Sequence, residues 1–355
     1  MIALHLPGSL LRGAERLAGL GSAVQGRVLS AAMGLPESVQ RRIVGSPVEV
    51  DGQTLATDTQ LMLWLQKLAR EPALPTLPLS EAREALEQQA RLIGGDPWIG
   101  STRDLTVADL PARLYVPSGS TGEGDPLLVF FHGGGFIYGS LASHDAPCRV
   151  LAEGAGVRVL SVDYRLAPES RFPGPCEDAV AAFAWVRAHA AELGADPERL
   201  GVGGDSAGGN LAAGVALEVT TECAFQLLIY PVTSADHDTR SARVFGQGYF
   251  LTSEFIQVAT EGYLTAEADR ADPRLALLEA KVPDGVAPAY VATAGFDPLR
   301  DEGEAYAERL REAGVRVELR RFEDQIHGFL NVTGLGRTSP AAVAELVQAL
   351  RAGLG

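Results

Sequence analysis

The sequence predicts an α/β protein with a mostly parallel central sheet, helices on both faces of that sheet, and a helical cap. Three observations carry the expectation. From about residue 104 short apolar runs alternate with helical stretches, the residues before that point lack strand-like runs, and nearly sixty residues separate two of the later strands. Alternating runs imply parallel strands joined by helices, and a connection that long carries structure of its own.

The first hundred residues read as helices and connectors without strands. Leu61, Leu65 and Leu68, with Trp64 beside them, recur at helical spacing, and Ser80 opens a segment rich in Glu, Ala, Arg and Gln that suits a second helix. Residues 1–100 are therefore expected to form an N-terminal helical cap region. Residues 101–355 are expected to form the main α/β domain, with a cap insertion at about 231–285. A chain of 355 residues fits one such domain with a smaller attached element.

Within the main domain, LTV and ARLYV resemble an opening hairpin. Apolar runs follow at 127–131, 158–164, 199–204, 225–230 and 289–295, then VRVELRRF at 315–322, with helical stretches at 176–192, 206–219, 302–313 and near 339–352. Ligand sites in such sheets lie at the carboxyl ends of the strands.

Composition excludes several classes. With 46% hydrophobic and 21% charged residues the chain can build a large core. Its 45 acidic against 30 basic side chains give a net charge of −15, and no basic run could neutralise a phosphate backbone, so no nucleic-acid partner is expected. The three cysteines, Cys148, Cys176 and Cys223, are odd in number, and neither they nor the six histidines show zinc-ligand spacing; free thiols and no metal are expected. The apolar N-terminus MIALHLPGSLLRGAERLAGLGSAVQG is broken by Pro7, Gly8, Arg12 and Glu15 and lacks a basic leading region. It is read as neither signal peptide nor membrane span. The expectation is a cytoplasmic protein without stable membrane insertion, with loose membrane contact by the first helix left open.

The strand RLGVGG runs into Gly204-Asp205-Ser206-Ala207-Gly208, a G-x-S-x-G pattern followed by the apolar helix NLAAGVAL. Small flanking residues allow the sharp strand-to-helix turn that holds a serine exposed and strained. Ser206 is the candidate nucleophile; the alternative is a glycine-rich helix start merely capped by Ser206. After LLVFF comes His132-Gly133-Gly134-Gly135-Phe136, where consecutive glycines let backbone N–H groups converge on a developing oxyanion, or else form a flexible turn. Neither glycine segment has the G-x-G-x-x-G of a dinucleotide loop.

With HGGGF (132–136), YRLAPE (164–169), GDSAGGN (204–210), DPLRDEG (297–303) and HGF (327–329) in one order and spacing, the chain resembles the hormone-sensitive lipase family, the bacterial family IV esterases, over roughly residues 104–335. The resemblance implies the α/β-hydrolase fold. It implies Ser206 as nucleophile, and the N–H groups of Gly134, Gly135 and Ala207 as oxyanion hole. It also gives His132 a role in fixing the glycine loop, Tyr164, Arg165 and Glu169 a structural network behind the site, and His144 and Asp145 a part in holding the loop.

Asp297 follows the strand AYVATAG directly, and His327 follows VRVELRRF after a four-residue loop, giving the α/β-hydrolase order of serine, acid and histidine. Asp301 and Glu302 are alternative acids, although they fall at a helix start where acidic residues are favourable anyway. His327 alone among the histidines stands between the last strand and the final helix; His5, His189 and His237 have no comparable setting. Family members often carry a glycine and an apolar residue before this histidine, whereas here Asp324 and Gln325 precede Ile326, a departure that bears on pocket polarity and basicity.

The expected function is carboxylic ester hydrolysis through an acyl-enzyme, without metal or organic cofactor, on small-molecule esters of the short to medium acyl chains that the resemblance implies. A homodimer is left open. One rival reading is an amidase, since one triad serves several leaving groups. Another is a binding protein, because plant gibberellin receptors share the fold and the HGG and GDS elements; they lack the catalytic histidine that His327 supplies here.

Overall fold

The computed structural model describes residues 22–69 and 72–355. The readings made on residues 1–21, of a signal peptide and of a first helix touching a membrane, lie outside the described residues. No helix among those described is long and apolar enough to cross a membrane.

An eight-stranded sheet runs through the molecule in the order β10-β9-β8-β7-β5-β6-β4-β3. Its strands are β3 (Ser101–Val107), β4 (Leu110–Val116), β5 (Asp125–Phe131), β6 (Arg158–Val162), β7 (Ala195–Asp205), β8 (Phe225–Ile229), β9 (Ala289–Phe296) and β10 (Val317–Ile326). Only β4 runs against its neighbours. The opening hairpin β3–β4 turns on Ala108 and Asp109, both with positive φ (49° and 65°), which matches the twist of the paired strands.

Side chains alternate across β5. Leu127, Val129 and Phe131 enter the core shared with the helices α6 (Gly174–Ala188), α7 (Ala207–Val219) and α10 (Arg300–Glu312), while Leu128 and Phe130 enter the opposite core, shared with α5 (Asp145–Ala155) and α11 (Thr338–Leu354). A strand buried on both faces reads as an unbroken apolar run, which is why LLVFF shows no alternation.

Before the sheet come α1 (Ser22–Met33), α2 (Glu37–Val44), α3 (Thr57–Ala69) and α4 (Leu79–Gly94). Contrary to the strand-free expectation, Glu49–Val50 (β1) and Gln53–Thr54 (β2) form a short antiparallel hairpin. Two residues per strand leave no pattern to read. Leu61 of α3 is fully buried and packs with Met33, Val332 and Leu335. Asp58, also buried, accepts the backbone N–H groups of Arg337 (2.7 Å) and Thr338 (3.0 Å) and the Thr338 hydroxyl (2.6 Å), capping α11 from a distant part of the chain. Arg83 of α4 donates to the carbonyls of Ile137 (3.0 Å) and Ala167 (2.9 Å) and pairs both oxygens of Glu169 at 2.8 Å, which makes the expected contact of Glu169 a brace between α4 and the glycine loop. Between β8 and β9 the chain adds α8 (Arg240–Phe245) and α9 (Ser253–Tyr263).

Candidate active site

Four strands deliver the candidate residues to one edge of the sheet: β5 leads into the glycine loop, β7 into Ser206, β9 into Asp297 and β10 into His327. The loop expected before His327 is absent. β10 continues to Ile326 past an irregularity after Phe322, so His327 leaves the strand directly.

Ser206 adopts φ 55° and ψ −118°, a conformation that costs an ordinary residue about 1–3 kcal/mol. Its flanks must be bare. A Cβ on Gly204 would sit 2.3 Å from the Gly208 oxygen, and one on Gly208 would sit 1.9 Å from the Phe131 oxygen. The Ser206 N–H donates to the Ile229 carbonyl (2.9 Å), and its own carbonyl accepts from Val232 (3.1 Å), which fixes the turn to β8 and the segment after it.

His327 Nδ1 lies 2.8 Å from Asp297 Oδ2, and Nε2 lies 3.0 Å from Ser206 Oγ. Asp297 is fully buried and its other oxygen accepts the Leu299 N–H (2.8 Å). A carboxylate can only accept, so the ring carries its proton on Nδ1 and Nε2 accepts the serine hydroxyl. The alternative acids point elsewhere. Asp301 accepts from the Ser241 N–H and from Arg300, and Glu302 from Thr233, Ser234 and His237.

Gly134 and Gly135 have positive φ (124° and 63°), and a Cβ on Gly134 would strike the Tyr138 carbonyl at 2.3 Å. Among the described residues no acceptor takes the N–H of Gly134 or Gly135, and Ala207, at the first position of α7, has no intrahelical acceptor for its own. These are the three groups named from sequence for an oxyanion. The Gly133 N–H, by contrast, is taken by Asp205 Oδ1 at 2.8 Å.

His132 lies under this loop, stacked on Tyr164 with ring centroids 4.4 Å apart, while the Tyr164 hydroxyl donates to the His132 carbonyl (2.7 Å). Burial, helped by the neighbouring His144, pushes its pKa down to about 3, so it is neutral at working pH and supports the loop without titrating. His144 Nε2 lies 3.1 Å from Asp205 Oδ1. Burial tends to raise the pKa of Asp205, but His144, the Gly133 N–H and His327 together hold it below the ordinary value. In the sequence Asp205 stands within GDSAGGN and at the variable position of G-x-S-x-G, and nothing in either pattern marks it as the anchor of the loop. Arg165 is paired with Asp178 (2.6 Å), and Asp145 accepts the Tyr115 hydroxyl (2.9 Å) and Arg113 (3.1 Å).

A narrow cavity of about 40 Å³ reaches Ser206. Apart from Gly135, Phe136, Ser206 and Leu299, its lining falls within residues 232–275, Phe255 and Tyr263 of α9 among them; no described residue of the N-terminal region takes part. Tyr263 stacks on Phe136 at 4.0 Å, whereas Tyr249 packs on Phe245 and Phe296 away from the cavity. Asp324 and Gln325 do not line it either: buried Gln325 accepts from Ser339 (2.7 Å) and donates to Asp324 (3.0 Å), anchoring the end of β10 to α11.

Comparison with known proteins finds similarity to ester hydrolases along most of the chain. The profile of the alpha/beta hydrolase fold matches residues 128–331. The chain is 42% identical to the carboxylic ester hydrolase LipN of Mycobacterium tuberculosis, with 93% of each chain covered. It is 38% identical to the ethyl acetate hydrolase of Pseudomonas putida, with 78% of this chain and 90% of that one covered. Among solved structures, an ester hydrolase from the metagenome of Lake Arreo, complexed with a bipyridine phosphonate derivative, superposes with a TM-score of 0.80 at 38% identity, covering 84% of this chain and 98% of that one.

Proposed function

Since the chain belongs to the alpha/beta hydrolase fold family, in its hormone-sensitive lipase branch, and is a carboxylic ester hydrolase, we propose that it works through Ser206, His327 and Asp297 and prefers esters of short to medium acyl chain. The observation that carries the reading is the continuous relay from Asp297 Oδ2 through His327 to Ser206 Oγ, at 2.8 and 3.0 Å.

In this reading Ser206 Oγ attacks the ester carbonyl while His327 Nε2 takes its proton. The N–H groups of Gly134, Gly135 and Ala207 receive the oxyanion, and Asp297 stabilises the imidazolium that forms. Collapse expels the alcohol, which leaves with the proton from His327, and the serine retains the acyl group. Water then attacks the acyl-serine, giving up its proton to His327, and release of the acid restores the serine hydroxyl.

Two features support a short chain. The cavity beside Ser206 has room for only a few water-sized groups, and the Pseudomonas putida relative is named for ethyl acetate. The insertion at 231–285 acts as the roof, and the N-terminal region, proposed as the rest of the cap, braces that roof from outside through Leu74 and Leu77.

The test is Ser206→Ala. Turnover of an activated ester should fall on the order of 10⁴-fold or more, with thermal unfolding unchanged. A variant that kept most of its activity would overturn the assignment, as would a serine-directed phosphonate that labelled another residue.

A further inference from the structure

A second histidine–carboxylate pair borders the same cavity. Glu302, with a fully buried side chain, accepts the N–H groups of Thr233 (2.9 Å) and Ser234 (3.3 Å) on Oε1, and its Oε2 lies 2.8 Å from His237 Nδ1. All three neighbours serve as donors to this carboxyl group, so Nδ1 of His237 is committed to it. The other ring nitrogen, Nε2, has no hydrogen-bond partner among the described residues. His237 lines the cavity that reaches Ser206 and also a broader depression beside it, bordered by Arg243, Gln247 and Ser253.

The cavity that reaches Ser206 is otherwise mainly apolar, whereas the broader depression is polar. Of the remaining polar side chains in the lining, Thr260 donates its hydroxyl to the Ile256 carbonyl (2.8 Å), Ser234 Oγ accepts the Asp236 N–H (3.2 Å), and the Tyr263 hydroxyl faces Cys176 (3.4 Å). The backbone of His237 has φ 48°, in the left-handed region. Burial works to lower the pKa of His237, but the charge and hydrogen bond of Glu302 outweigh it and the net shift is upward, which favours a proton on Nε2.

We propose that His237 is a specificity-determining residue whose Nε2–H donates to a neutral hydrogen-bond acceptor, a carbonyl oxygen, carried on the substrate a few bonds from the scissile ester. Keto-substituted esters are then preferred over plain alkyl esters of equal length, because an alkyl chain in the cavity strips water from Nε2 and returns no partner. A neutral acceptor fits better than an anion, since Glu302 already balances the charge of a protonated His237 and the chain carries −15 overall. Glu302 acts on the substrate through His237, as a positioning residue, and also holds the segment that bears it through Thr233 and Ser234. The inference rests on Ser206 being the nucleophile that this cavity serves.

The experiment compares kcat/KM for ethyl 4-oxopentanoate against ethyl pentanoate, ethyl 5-oxohexanoate against ethyl hexanoate, and 4-oxopentyl acetate against pentyl acetate, by titrating the released acid. The native enzyme is expected to favour the keto ester in at least one pair, on the order of tenfold and mainly through KM. His237→Leu brings that ratio to about one, and His237→Gln, which keeps an N–H donor, restores part of it. A native enzyme with no preference in any pair would overturn the proposal without any variant, as would a preference that survives His237→Leu. Ser206→Ala in the same assays separates the two readings: undiminished hydrolysis there sinks the nucleophile assignment, whereas a Ser206-dependent enzyme indifferent to the keto oxygen sinks only the role of His237.

Discussion

Asp205 Oδ1 accepts the Gly133 N–H at 2.8 Å, so the residue that precedes Ser206 also anchors the glycine loop. The ends of β5 and β7, paired side by side, are thereby tied together a second time.

Removing that anchor should loosen the oxyanion side before it harms the serine. Asp205→Ala leaves a buried N–H unpaired and should cost roughly 1–3 kcal/mol of stability. It should also lower kcat more than it raises KM. Asp205→Asn, which can still accept from Gly133, should recover most of the loss. Steady-state kinetics with thermal unfolding on both variants checks this; equal damage by Asn and Ala would refute the anchoring role.

The identity of the acid is settled by an order of rates. Asp297→Asn should cripple turnover, because only this carboxylate fixes the proton of His327 on Nδ1. Asp301→Asn and Glu302→Gln should cost far less with plain alkyl esters, since neither touches His327. A reversed order would remove Asp297 from the relay.

Gly135 faces α9 so closely that an added Cβ would lie 2.8 Å from the Ala259 Cβ. Gly135→Ala should therefore lower kcat/KM by about tenfold or more, combining this clash with the strain of φ 63°. Adding Ala259→Gly should relieve the clash and leave the strain, so the double variant recovers in part. Full recovery, or none, would contradict the separation of the two causes.

Acyl preference should peak at short to medium chains on p-nitrophenyl esters from acetate to palmitate, without activation at a lipid interface. A chain lacking about the first 45 residues should keep the position of that maximum, because no described N-terminal residue lines the cavity, and should unfold at a lower temperature. A maximum at palmitate would refute the closed roof.

Asp58 supplies a pH dependence. Burial raises its pKa, but the hydroxyl and N–H of Thr338 and the N–H groups of Arg337 and Thr59 outweigh burial and hold it below the ordinary value. A lowered folded pKa contributes stability that is present above the unfolded value, near 3.8, and is lost as pH falls through the folded one. Asp58→Asn should therefore lower stability by roughly 1–3 kcal/mol at neutral pH. Thermal unfolding from pH 7 down to pH 3 should show the native and variant curves converging in acid.

The placement of the candidate residues is legible because each motif abuts an apolar run: HGGG follows LLVFF, GDS closes RLGVGG, and DPL comes just after AYVATAG, so each candidate falls at a strand end. The last strand is read short because Glu323, Asp324 and Gln325 interrupt its apolar pattern, although pairing resumes at Ile326 after the irregularity. Helix α5 was missed, with Pro147 and Gly154 in its sequence obscuring the periodicity. The partners of Asp205 and His237 were out of reach for a different reason. They lie 72 and 65 residues away, and no local spacing encodes them.

The cap that Asp58 places on α11 also bears on how the protein is made. Its acceptor oxygens emerge from the ribosome 280 residues before the Thr338 groups they hold. At translation speeds of about 5–20 residues per second, that interval lasts on the order of fifteen to sixty seconds. Throughout it, α3 carries a carboxylate without its Arg337 and Thr338 donors, and Leu61 packs with Met33 but lacks Val332 and Leu335, which do not yet exist. The sheet can assemble strand by strand in the meantime, but the join between the beginning and the end of the chain is made last, as a step that follows synthesis.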